Sequence, residues 1–119
     1  MKTKLEILEE TVAFYSEDTS RRAIMDGTCR YLTDDGKRCA YGRCLIPEKY
    51  TPKWENKSCY AIHNDENLQE EYRGHSISFW EHIQSLHDNL NYWNNEGLTK
   101  SGVYRVHEIK EYITSGHYD

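Results

Sequence analysis

The chain lacks long hydrophobic runs, and its mean hydropathy is −0.94. A membrane-spanning helix needs about 20 consecutive apolar residues, so none is expected. The start, Met1-Lys2-Thr3-Lys4-Leu5-Glu6, is charged and has no apolar stretch of the signal-peptide kind. The expectation is a cytoplasmic protein whose thiols stay reduced. Glycine is sparse: seven residues, each standing alone. Phosphate-binding loops, dinucleotide fingerprints and nucleophile elbows all need clustered glycines and are missing, which speaks against ATP- and nicotinamide-dependent enzymes. The H-E-x-x-H and deaminase zinc patterns are missing as well. Positive charge is short, with 15 Lys and Arg against 20 Asp and Glu and a net charge of −5. That balance excludes a dedicated binder of duplex nucleic acid, which would be basic. Phe is scarce, at two residues, while Tyr numbers ten and Trp three. Tyr and Trp combine a large apolar ring with a polar handle, so they suit core edges and binding surfaces.

What is present fits one small fold. A chain of 119 residues is the length of a single globular domain, residues 1–119. Its charge is segmented: residues 1–20 carry −3, residues 21–57 carry +4 and residues 58–119 carry −6. Thr3-Lys4-Leu5-Glu6 has the form of a capping box, and Leu5, Leu8, Val12 and Tyr15 follow at helical spacing, which predicts a helix over 4–16. Asp26-Gly27 is a turn signal. Cys29–Leu32 and Arg38–Tyr41 are strand candidates around the Asp35-Gly36 hairpin signal. Ser58–Ile62 is a third strand candidate, and 64–74 reads as an acidic surface loop. Ser78-Phe79-Trp80-Glu81 forms a second capping box, with Phe79, Ile83, Leu86 and Leu90 continuing its stripe. Val103, Val106, Ile109 and Ile113 mark a last helix over 100–114. The fold class is α+β: a small antiparallel sheet or hairpin in the middle third with three main helices packed around it.

Chemistry concentrates in Cys29–Pro47, which holds three of the four cysteines and a basic cluster. Cys39-x4-Cys44 and Cys59-x3-His63 offer two ligand pairs for a structural zinc, with Cys29 as an alternative ligand. The competing reading makes these cysteines small buried hydrophobes. A cysteine nucleophile such as Cys44 needs a base within reach, and no spacing ties one of the six His residues to it. Arg30, Arg38 and Arg43 are interleaved with Tyr31, Tyr41 and Trp54. Arginine forks recognise phosphate bidentately and aromatic faces stack on bases, so this set is the candidate ligand-binding site.

The pattern Cys29-x-Tyr31, Asp35-Gly36, Cys39-Ala40-x-Gly42-x-Cys44-Leu45-Ile46-Pro47 resembles a block found in a group of small uncharacterised bacterial and phage proteins. In that group the block precedes an L-Q-x-[LI]-H-D helix, matched here by Ile83-Gln84-Ser85-Leu86-His87-Asp88. The resemblance covers about residues 20–90 and implies a shared fold, with no catalytic residue or cofactor attached to it. It implies a phage or mobile-element accessory protein in the cytoplasm of a host cell. The expected function is non-enzymatic binding of a small anionic, nucleotide-derived host molecule. The alternative is a protein–protein module acting on a host protein, stapled by zinc or not, with homo-oligomerisation left open.

Overall fold

A computed structural model of the chain describes residues 1–25 and 28–119. The turn expected at Asp26-Gly27 lies outside the described residues. The architecture is α+β, built from helices and very short antiparallel strands. In chain order the elements are α1 (Lys4–Glu17), β1 (Ile24–Met25), β2 (Thr28–Cys29), α2 (Ala40–Cys44), α3 (Cys59–Ile62), α4 (Ile77–Asp88), β3 (Trp93–Asn94), β4 (Gly97–Leu98) and α5 (Lys100–Thr114). Strand β1 pairs with β2, and β3 with β4. No helix among the described residues is long and apolar enough to cross a membrane.

Helix α1 starts where its capping box predicts. The Glu6 amide donates to Thr3 Oγ1 at 3.1 Å and the Thr3 amide donates to Glu6 Oε1 at 3.0 Å. Its inner face buries Ile7, Leu8, Thr11 and Tyr15. Helix α4 starts earlier than its sequence signal. Ser76 is the N-cap, and its hydroxyl pairs with that of Ser78 at 3.1 Å, so the expected Ser78–Glu81 box does not form. The missing cap is worth about 1 kcal/mol. Phe79, Trp80, Ile83 and Leu86 are all fully buried, and each contributes about 2 kcal/mol, so packing decides the helix. Helix α5 matches the expected 100–114 and is capped by Thr99, whose Oγ1 accepts from the Gly102 amide at 3.1 Å.

The central region departs from the expected hairpin. Leu32 and Arg38 form a lone antiparallel bridge around a turn in which Gly36 holds φ +87°, a conformation that favours glycine. Beyond the bridge, Arg38–Tyr41 does not continue as a strand. Cys39 caps α2 instead, its Sγ accepting from the Gly42 amide at 3.2 Å. Ala40, Tyr41, Gly42 and Cys44 are all buried, and a segment enclosed on every side gains nothing from strand alternation. Gly42 passes so close to the Tyr31 carbonyl that a Cβ there would overlap its oxygen. Ser58–Ile62 is also helical, because Ser58 Oγ accepts from the Ala61 amide at 3.3 Å and starts α3. The acidic 64–74 segment is not merely a surface loop. It bridges Leu45 through Leu68 and buries Leu68 and Tyr72 in the core. Helices α2 and α3 both pack on α4, and this arrangement positions the site.

Candidate ligand-binding site

One face of α4 stays out of the core. Glu81, Gln84, Ser85 and Asp88 recur at helical spacing opposite the buried stripe and form one wall of an open cleft of about 440 Å³. Cys29–Tyr31 and Asn56–Cys59 complete the lining, with Asn89 at the end of α4. This volume falls within the range of about 300–1,000 Å³ typical of small-molecule sites.

The lining is held from behind. Glu55, only 8 % exposed at its side chain, accepts the amides of Tyr31 at 3.0 Å and Leu32 at 3.2 Å and the Tyr50 hydroxyl at 2.6 Å. The Tyr31 hydroxyl donates to the Lys57 carbonyl at 2.5 Å, which ties the two non-helical segments together. Asn56 closes the turn between them at φ 67°, a left-handed conformation that asparagine tolerates better than most residues. On the α4 side, Gln84 accepts the Tyr41 amide at 3.0 Å and donates to Asp88 Oδ1 at 2.8 Å. His87 Nδ1 contacts the same oxygen at 2.7 Å. Among the described residues, the second Asp88 oxygen has no protein partner.

Cys29, His87 and Asp88 are the one group of Cys, His and acidic side chains, among the described residues, whose ligand atoms lie close enough to share a metal ion. The hydrogen bonds argue against that use. The Ala23 amide donates to His87 Nε2 at 3.2 Å, so this nitrogen carries no proton. The neutral imidazole then holds its proton on Nδ1 and donates it to Asp88. Burial lowers the His87 pKa and favours this neutral form. With both nitrogens committed, the ring braces the end of α4. The Arg22 guanidinium completes the brace by donating to the His87 carbonyl at 2.6 Å.

The thiols in the cleft are not activated. Burial, followed by the Asp88 charge, pushes Cys29 up to about 11, and its Sγ–H donates to the Asp88 carbonyl at 3.4 Å. Burial pushes Cys59 up to about 12. Both are neutral thiols at physiological pH, and neither has a histidine base at hydrogen-bond distance.

The expected zinc ligands do not converge. Cys39 Sγ caps α2, and Cys44 Sγ–H donates to the Ala40 carbonyl at 3.5 Å inside the same helix. Cys59 lies 4.0 Å from the Tyr31 hydroxyl, and His63 Nδ1 meets the Tyr41 hydroxyl at 2.9 Å. Cys39, Cys44 and Cys59 are buried free thiols.

Of the six expected ligand-binding residues, Arg30 and Tyr31 line the cleft. Arg38 borders a separate crevice of about 20 Å³, room for a water molecule at most. Tyr41 is fully buried. Trp54 packs edge-on to Tyr50 with ring centroids 6.4 Å apart. Arg43 serves the core, bonding Glu10 at 2.5 Å and lying over the Phe14 ring. Glu81, Ser85 and Asp88 were missed because a polar strip on a helix looks like an ordinary solvent face, and Asn56, Lys57 and Ser58 because a polar loop carries no signal of what packs opposite it.

The comparisons add no relative. The chain matches no protein-family model, no curated protein and no solved structure.

Proposed function

We propose that this protein is a non-enzymatic accessory protein of the phage or mobile-element type that captures a small anionic, nucleotide-derived molecule. The observation that carries the reading is the composition of the cleft. Arg30 and Lys57 supply cationic donors, Asn56, Ser58, Ser85 and Asn89 supply neutral hydrogen-bonding groups, and the Tyr31 ring adds an aromatic surface. Arg30 is anchored from behind, its Nε lying 3.9 Å from the buried Glu55 carboxylate, while a third of its side chain stays exposed toward the cleft. The neutral thiols and the committed His87 favour binding over catalysis. The phage setting and the host cytoplasm rest on the resemblance carried by the Cys29–Pro47 block and the Ile83–Asp88 helix.

Titration calorimetry against a nucleotide panel at low salt tests the proposal. Binding is expected for the wild type and about tenfold weaker for Arg30→Ala, the loss of one charge-assisted hydrogen bond. No binding at low salt, or full affinity in Arg30→Ala, overturns it.

A further inference from the structure

The charges of the cleft are sorted by element. Both cations, Arg30 and Lys57, come from the two non-helical lining segments, and both carboxylates, Glu81 and Asp88, come from α4. The formal charges of these four side chains cancel. A ligand bridging the lining therefore meets attraction for an anion on one side and for N–H or O–H donors on the other.

We propose that the α4 carboxylates act as a charge filter, so that the cleft selects nucleotides carrying a single negative charge, as in a phosphodiester, over mono- and triphosphates. This inference rests on the nucleotide reading of the cleft. A phosphodiester keeps one negative charge at neutral pH, a terminal monophosphate carries about two, and a triphosphate carries more. Glu55, 3.9 Å from Arg30 Nε, already offsets one of the two cations from behind, so Arg30 and Lys57 together are left with about one positive charge for a ligand. Further charge extends into the field of Glu81 and Asp88, where like-charge repulsion has no remaining cation to offset it. The filter is built to stay in place. Asp88 Oδ1 is fixed by Gln84 and His87, leaving the second oxygen to accept from a ribose hydroxyl or an exocyclic amine. Glu81 is solvent-exposed and, among the described residues, has no ion-pair partner, so no fixed cation cancels its charge at the cleft wall.

The test is calorimetry on the full chain with three probes for each of the four common bases: the cyclic monophosphate, the 5′-monophosphate and the 5′-triphosphate. The expected order of affinity is cyclic monophosphate first and triphosphate last. In Glu81→Gln the triphosphate gains about fivefold while the cyclic form changes by less than about twofold, and raising the salt erases the difference. Glu81 makes no core contact, so the variant folds as the wild type does, and its melting curve checks this. A wild type that binds the triphosphate as tightly as the cyclic form overturns the charge filter and leaves the nucleotide reading standing. A Glu81→Gln variant that shifts all three probes equally overturns the filter as well. No binding of any probe overturns the nucleotide reading itself, and the filter with it.

Discussion

Replacing Glu10 with Gln removes a carboxylate paired by three donors and changes how stability depends on acid. The carboxylate receives Arg43 at 2.5 Å, together with Lys2 and the Tyr72 hydroxyl. Burial alone would raise its pKa. The hydrogen bonds from Lys2, Tyr72 and Arg43 outweigh burial and lower it from 4.5 to about 2. A carboxyl whose folded pKa is depressed stabilises the fold above its unfolded pKa, and that contribution is lost as pH falls toward the folded value. A drop from 4.5 to about 2 corresponds to about 3 kcal/mol at neutral pH. The side chain is 26 % exposed, and solvent screening trims this to about 2 kcal/mol. Urea unfolding followed by circular dichroism, from about pH 7 down to about pH 2, measures the effect. The wild type loses about 2 kcal/mol between about pH 5 and pH 2 that Glu10→Gln does not lose, and the variant starts lower at neutral pH by a similar amount. His87 also loses stability on acidification, because its pKa is depressed by burial. Its loss begins nearer its unfolded pKa of about 6.5 and is common to both proteins, so it cancels in the comparison. Parallel acid profiles for the two proteins would refute the reasoning.

Two further outcomes follow from the close packing around Cys29–Cys44. Gly42→Ala drives a Cβ into the Tyr31 carbonyl, which Glu55 and Lys57 prevent from moving, and is expected to cost about 2–4 kcal/mol by denaturant unfolding. Gly36→Ala meets no atom and only backbone strain at φ +87°, so about 1 kcal/mol is expected, and equal costs at the two sites would contradict the packing argument. Alkylation of the native protein should modify Cys29 first, about 100-fold slower near neutral pH than a free thiol, and should accelerate as pH approaches 11. Rapid labelling of any cysteine at neutral pH, located by mass spectrometry, would show an activated thiolate instead.

The long helices were legible because their signals are local. Thr3 and Glu6 cap one another, and the apolar spacing of α1, α4 and α5 is carried by neighbouring turns of a single segment. Arg38–Tyr41 and Ser58–Ile62 read as strands because each is too short to show a period: Cys39–Gly42 is buried on all sides, and in Ser58–Ile62 only Cys59 and Ile62, three residues apart, face inward. The candidate site was less legible for a related reason. Arg30, Arg38 and Arg43 lie within fourteen residues and look like one patch, but the bridge at Leu32 and the start of α2 turn them in different directions. Arg43 meets Glu10, a partner 33 residues away. Glu81, Ser85 and Asp88 gain meaning only from the segments packed opposite them, and nothing in their spacing indicates that Cys29 and Lys57 come to that side.

Gln84 divides α4 into positions of different evolutionary freedom. Its amide spans the start of α2 and the Asp88 carboxylate, so a change there disturbs both the scaffold and the rim. Glu81, a turn before it, and Ser85, the next residue, are exposed and carry no such link. Descendants of this chain can therefore exchange ligands by drifting at 81 and 85 while inheriting the same folded frame.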